Sequence, residues 1–322
     1  MKNSNKHSLL TIHNMSLFKK NKNDNKQNDS SSQNVGVTDL LKKVRELEII
    51  SKRLTNHLFT GEYHTAFKGR GMSFKEVREY EPGYDIRFIE WNVSARMGHT
   101  YTKLFEEERE LSVYMLVDVS ASSLFGTYRQ TKKDLITEIC AVLAFSAISN
   151  NDKAGVILFS DKVEKYIPAK KGKEHVLYMV RELLTHQPHS AQTDTLKALR
   201  FLNNTTKHKS IVFILSDFAD AGYHDALRVA ARRHDVIGVQ VFDRRDEQLP
   251  KAGLLHVRDA ETGKMIWLNT NDAYTRFKYN QQFTRILEDA KVVFRNAGAD
   301  LLQLATGEDY VKKLQEFFRR RA

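Results

Sequence analysis

Apolar residues follow two different periods in this chain, and the switching between them marks its organisation. From Leu111 onward, short runs that are apolar at nearly every position (Ser112–Val117, Ala154–Phe159, Ile211–Leu215, Val236–Val241 and Asp300–Leu304) alternate with longer segments of helical spacing. The helical segments are Lys132–Ser149, Lys173–Thr185, Thr195–Leu202, His224–Arg233, Tyr274–Asn296 and Tyr310–Arg320. A short continuous apolar run reads as a strand covered on both faces. Alternation of such strands with helices predicts an α/β fold, a Rossmann-like parallel sheet with helices on both faces. Val163–Ile167 reads as an edge strand. Leu254–Arg258 and Met265–Leu268 flank Glu261-Thr262-Gly263-Lys264, whose glycine suits a tight turn, so a small hairpin insertion is expected near 254–268.

Upstream the pattern is weaker. Residues 1–36 are rich in Asn, Lys, Ser and Gln and carry too little apolar surface to offset the entropy of ordering, so they read as a disordered basic tail. Asp39 is placed to cap an amphipathic helix from Leu40 to about Leu54, with Leu40, Leu41, Val44, Leu47 and Ile50 along one stripe. From Gly61 to Arg109 the chain is glycine-rich, charged and aromatic, with short strands expected near Arg87–Trp91 and Tyr101–Phe105. The expected division is therefore a tail over 1–36, an N-terminal helix and small β extension over 37–110, and the α/β domain over 111–322.

Charge and cysteine content narrow the classes. The formal charge is +11, but residues 1–36 hold six lysines against two aspartates and Arg319–Arg321 close the chain, which leaves +4 for the body. That is a modest excess for its size, and no specific nucleic-acid partner is expected. The single Cys140 lies within the apolar pattern of a helix and reads as a buried structural thiol. No apolar stretch approaches the roughly 18 residues of a membrane span, and no secretory apolar core opens the chain, so a cytoplasmic location is expected.

The candidate chemistry sits where the first strand of the α/β region ends. Val113–Val117 runs into Asp118, Ser120 and Ser122, and in open α/β sheets ligands gather beyond the carboxyl ends of strands. A carboxylate with hydroxyls, and no sulfur or imidazole nearby, suits a hard cation such as Mg2+, or another divalent cation. Ile211–Leu215 ends in Ser216-Asp217, and Thr193 and Asp194 precede the helix starting at Thr195, so Asp217 and Thr193 can join the same edge. Neutral hydroxyls would leave such a cation under-neutralised and ready to accept an anionic oxygen from outside. The plain alternative is that Ser120 and Ser122 cap a helix and Asp217 merely ends a strand.

Other chemistries find less support. The chain lacks the P-loop pattern and the Gly-x-Ser-x-Gly turn of nucleophilic hydrolases. Its histidines show no tight ligand spacing, so zinc is not expected. Arginines among aromatics in Arg78-Glu79-Tyr80 and Arg87–Trp91 are more simply read as Arg–carboxylate pairs around buried Phe88 and Trp91 than as a base-stacking surface. The run Glu106–Glu110 reads as structural or partner-facing.

The stretches Gly61–Tyr80, Ile89–Arg96, Phe105–Arg109 and Val117–Ser122 together resemble the bacterial domain-of-unknown-function family fifty-eight, whose members look like von Willebrand factor A domains with a metal-ion-dependent adhesion site. The resemblance implies a cation, usually Mg2+, at the top of the sheet and a non-enzymatic role in protein interaction. It also implies an adaptor function beside a MoxR-type AAA+ ATPase, in maturation or assembly of other proteins. By the resemblance Asp118, Ser120 and Ser122 match the first adhesion-site motif, Thr193 its threonine and Asp217 its distal aspartate. Gln192, Tyr84 and Glu90 depart from the family's pattern. The partner is expected to donate a carboxylate, and to be the ATPase or its client. The competing expectation is a Mg-dependent phosphohydrolase, which the serine at position 120 disfavours, since aspartyl-phosphate chemistry wants a carboxylate there.

Overall fold

The computed structural model describes residues 15–16, 42, 44–49, 73–106, 111–124, 131–259 and 265–321. Most of the predicted tail, the ends of the N-terminal helix, the glycine-rich stretch up to Met72, the acidic run beyond Glu106 and the turn around Gly263 lie outside the described residues. The elements are β1 (Met15–Ser16), β2 (Ser73–Glu79), α1 (Trp91–Met97), β3 (Tyr101–Glu106), β4 (Ser112–Asp118), α2 (Lys132–Ser149), β5 (Lys153–Phe159) and β6 (Val163–Lys170). They continue with α3 (Lys173–Thr185), α4 (Thr195–Thr205), β7 (Ile211–Ser216), α5 (His224–Arg233), β8 (Asp235–Phe242), α6 (Arg244–Glu247), β9 (Leu254–Asp259), β10 (Met265–Asn269), α7 (Ala273–Ala297), β11 (Asp300–Ala305) and α8 (Tyr310–Arg321).

Six strands form the central sheet in the order β11-β8-β7-β4-β5-β6. All neighbours are parallel except β5 and β6, so β6 is the antiparallel edge strand. The chain fills the sheet from β4 outward through β5 and β6, then returns past β4 to lay down β7, β8 and β11. Strand order thus reverses between β4 and β7, and their carboxyl ends flank a topological switch point.

Alternate side chains of β4 serve two separate cores. Val113, Met115 and Val117 meet α2, α3, α8 and Leu47 on one face, while Tyr114 and Leu116 meet α4, α5 and α7 on the other. Helix α2 is apolar nearly all round and buried accordingly, with Cys140 inside it as a free thiol. Thr131 starts α2 through a capping box with Asp134. Residues 44–49 are helical, as expected of the N-terminal stripe, and bury Leu47. The predicted hairpin is β9 and β10, whose Val257 and Leu268 pack with Tyr279 of α7; β1 pairs with the outer edge of β9.

The extension differs from expectation. Arg87–Trp91 is not a strand: Ile86–Phe88 is a 3-10 turn and Trp91–Met97 is a helix. The Asp85 side chain accepts from the Arg87 backbone N–H at 3.0 Å, a local closure that outcompetes extended pairing, and Gly98 at φ 72° ends α1. The partner of β3 is instead β2. Nor is Trp91 buried; it is 71% exposed. The expected Arg–carboxylate pairs do form, Arg78 with Glu76 and Arg87 with Asp85. No helix among the described residues is long and apolar enough to cross a membrane.

Candidate metal centre

Asp118 is the last residue of β4, and its backbone pairing with Phe159 of β5 fixes where the carboxylate stands at the edge of the sheet. The chain then turns sharply. The Ser120 N–H donates to Asp118 Oδ1 at 2.9 Å, and Ser123 Oγ donates to the Ser120 carbonyl at 2.7 Å, inside a 3-10 turn over Ala121–Leu124. The turn brings Ser120 Oγ and Ser122 Oγ to 3.0 Å from each other, both buried beside the buried Asp118. Neither serine caps α2, since Thr131 does.

Two other loops close on this turn. The Ala121 N–H donates to the Ala191 carbonyl, and Thr193 Oγ1 donates to Asp118 Oδ2 at 3.5 Å. From the end of β7, Ser216 Oγ donates to the same Asp118 Oδ2 at 2.8 Å. Asp217 follows in a loop locked by Gln240 Nε2, which donates to its carbonyl at 2.9 Å. The next residue, Phe218, is held at φ 53° with its ring buried against Tyr223 and Phe294. A non-glycine residue in that left-handed region is strained, and the packing that holds it makes the Asp217 loop a shaped one.

The structure therefore joins Asp118, Ser120, Ser122 and Thr193 by direct contacts and places buried Asp217 in the adjoining loop. Asp194, the other carboxylate of the Thr193 loop, is turned away: it caps α4 through the Lys197 N–H and pairs with the Lys197 ammonium. Four residues of the surroundings were not visible as partners in the sequence. Ser216 stands on the Asp118 carboxylate, and Asp220 ties down the start of α4 by accepting from the Thr195 N–H and hydroxyl. Lys132, from the first turn of α2, lies between Asp217 at 3.5 Å and Asp246 at 2.9 Å. For Ser216 the signal was its place in the strand-ending Ser-Asp pair; Lys132, Asp220 and Asp246 had none.

Electrostatically the edge is rich in negative charge. Burial, and secondarily the neighbouring Asp217, pushes the Asp118 carboxyl up to about 7. Asp220 is pushed up to about 6, again mainly by burial. Among the described residues Asp118 forms no ion pair; its contacts are hydroxyl and amide donors. The donors available to a ligand are all oxygens, two carboxylates and three hydroxyls. An octahedral Mg2+ with bonds of about 2.0–2.1 Å wants neighbouring oxygens about 2.9 Å apart. The separation of Ser120 Oγ from Ser122 Oγ fits that spacing, and an uncompensated buried carboxylate beside them fits the charge.

The model of a family described as "Protein of unknown function DUF58" matches residues 76–288. The chain is 29% identical over 277 residues to the uncharacterized protein Rv1480 of Mycobacterium tuberculosis, covering 85% of this chain and 87% of that one. Among solved structures it is similar to BatB of Bacteroides thetaiotaomicron, with a TM-score of 0.43 at 13% identity over 66% of this chain and 98% of that one. It is also similar to the SpRpn10 VWA domain, with a TM-score of 0.38 at 10% identity over 64% of this chain and 94% of that one.

Proposed function

The chain belongs to the DUF58 family, and on that premise we propose that it is a metal-dependent, non-enzymatic protein-interaction module. Asp118, Ser120, Ser122, Thr193 and Asp217 hold a divalent cation, Mg2+ in the first instance. The observation that carries this reading is the convergence of three loops on one buried carboxylate: Ser120, Thr193 and Ser216 all reach Asp118. Such a cation supplies a positive charge that an external carboxylate can meet. The chain's own residues do the rest. Ser120 and Ser122 offer neutral oxygens, so the cation is less fully neutralised than in an all-carboxylate site. Asp217, partly neutralised by Lys132, acts from behind.

The partner then donates a Glu or Asp side chain at the open face. By the family resemblance that partner is a MoxR-type AAA+ ATPase or its client, in the cytoplasm, and residues 111–322 form the binding domain with 37–110 as its extension. The test is capture of partner protein from lysate in Mg2+ and in chelator, with wild type and Asp118→Ala side by side. Capture present only in Mg2+ and lost in the variant, with an unchanged circular dichroism spectrum, supports the reading. Equal capture in chelator overturns it, as does turnover of a generic phosphoester that disappears in Asp118→Asn.

A further inference from the structure

We propose that Glu164, His186 and His189 form a second cation site, selective for a zinc-class divalent ion. Glu164 stands on the edge strand β6, His186 ends α3, and His189 lies in the loop that runs on to Thr193. One ligand atom from each of the three lies within 4.8 Å of the others. The two oxygens of the buried Glu164 carboxylate are used differently. Oε1 accepts from Ser160 Oγ at 2.5 Å, and the His189 backbone N–H is shared between Oε1 at 3.1 Å and Oε2 at 3.2 Å. Oε2 faces both imidazoles, His186 Nε2 at 2.6 Å and His189 Nδ1 at 3.2 Å.

A ligating carboxylate is held by such outer donors: the Ser160 hydroxyl and the His189 backbone N–H orient the group while Oε2 faces both imidazoles. Two imidazoles and a carboxylate are a ligand set that zinc takes with a fourth position left open. Imidazole nitrogen favours zinc, nickel and copper over magnesium, which separates this cluster from the oxygen-only set around Asp118. Tetrahedral bonds of about 2.0–2.1 Å put neighbouring ligand atoms about 3.3 Å apart. Glu164 and His189 already meet that spacing. His186 needs to draw back by less than about 1 Å, giving up the hydrogen bond that the ion replaces.

An entry path exists, because the His189 side chain is 69% exposed while Glu164 is fully covered. The glutamate is also held well below its ordinary range despite its burial, by the hydroxyl and imidazole donors around it, so it is ionised and ready to ligate. An ion at this point clamps β6, the end of α3 and the Thr193 loop together. Ser160 links the two places directly, since its hydroxyl serves Glu164 while its carbonyl accepts from the Asp194 N–H at 2.9 Å.

The experiment is titration of the full chain with Co2+, read by visible absorption, followed by displacement with Zn2+. The expected result is one tetrahedral Co2+ spectrum that Zn2+ abolishes. It is retained in Asp118→Ala and weakened about ten-fold or more in His189→Ala, whose exposed side chain can be removed without emptying the core. A wild type with no such spectrum overturns the proposal, as does unchanged affinity in His189→Ala or loss of the spectrum in Asp118→Ala. Failure of Mg2+-dependent capture leaves this titration unaffected, so the two readings fail separately.

Discussion

The ammonium of Lys132 lies 3.5 Å from the carboxylate of Asp217, with both side chains buried. Burial on its own works toward the neutral amine, but Asp246 and Asp217 outweigh it and hold the group above its ordinary range. The chain thus supplies an internal cation to the carboxylate at the end of β7. For the carboxylate at the end of β4 the described residues supply hydroxyls and an amide. On the proposed function this asymmetry gives the two aspartates different tasks, Asp118 as the group that meets the cation and Asp217 as a support balanced by Lys132.

Replacing Lys132 by methionine keeps the volume and removes the charge, leaving Asp217 and Asp246 buried without their cation. Breaking a buried pair from one side costs roughly 3–5 kcal/mol. Urea unfolding of Lys132→Met is expected to show a loss of that order. A loss under about 1 kcal/mol, the scale of an exposed pair, would mean the lysine does not neutralise the site.

Gly238, in the middle of β8, is closely covered by Phe294 of helix α7. A Cβ there would lie 2.5 Å from two ring atoms of Phe294 and 2.7 Å from Leu301 Cδ1. Phe294 is fully buried and also packs on Phe218, so its ring has little room to move aside. Gly238→Ala is expected to cost roughly 1–3 kcal/mol in the same urea measurement, as overpacked cores do. A neutral outcome would show that α7 shifts freely.

The strands and helices of the α/β region were legible because each carries its own local signal. The unbroken apolar run of β4 and the apolar pattern of α2 are two such signals, and both elements stand at the expected positions. So was the Asp118 turn, since a buried strand that ends in Asp-x-Ser-x-Ser announces its edge. The segment Arg87–Trp91 was misread because its apolar alternation imitates a strand, while the closing Asp85 bond to Arg87 is a turn signal of a single residue. Lys132 was not legible at all. Its partner Asp217 is 85 residues away, and nothing in the first turn of a helix distinguishes a buried lysine from a solvated one. The Glu164 cluster was hidden in part: His186 and His189 stand three apart in the chain, but Glu164 joins them only once the edge strand folds back.

His234, which ends α5, is buried, and among the described residues neither of its ring nitrogens has a hydrogen-bond partner. Burial, with the neighbouring Arg233, lowers its pKa below the usual 6.5. Protonation therefore favours the unfolded chain. The stability contributed by the neutral ring is present above pH of about 6.5 and is lost as pH falls from there toward the lowered folded value. His234→Phe is expected to flatten the stability profile between about pH 7 and 5, measured by urea midpoints at each pH. An unchanged slope would place the acid sensitivity elsewhere.

The cation reading has a thermodynamic signature of its own. Because the folded-state pKa of Asp118 is raised to about 7, the metal-free protein binds an extra proton relative to the unfolded chain between about pH 4 and 7. Stability from this group therefore falls as pH rises through that window, and above it the ionised carboxylate is a standing cost. A bound Mg2+ removes the cost, and protons compete with it, so affinity weakens as pH drops below 7. At Mg2+ near 100 times its dissociation constant the gain is about 2.7 kcal/mol. Thermal melts are accordingly expected to rise on adding Mg2+, more at pH 8 than at pH 6. In chelator at pH 8, Asp118→Asn should melt above wild type, because a neutral amide has no ionisation cost, and Mg2+ should leave that variant unmoved. A Mg2+ shift of equal size in wild type and Asp118→Asn would place the ion at other residues.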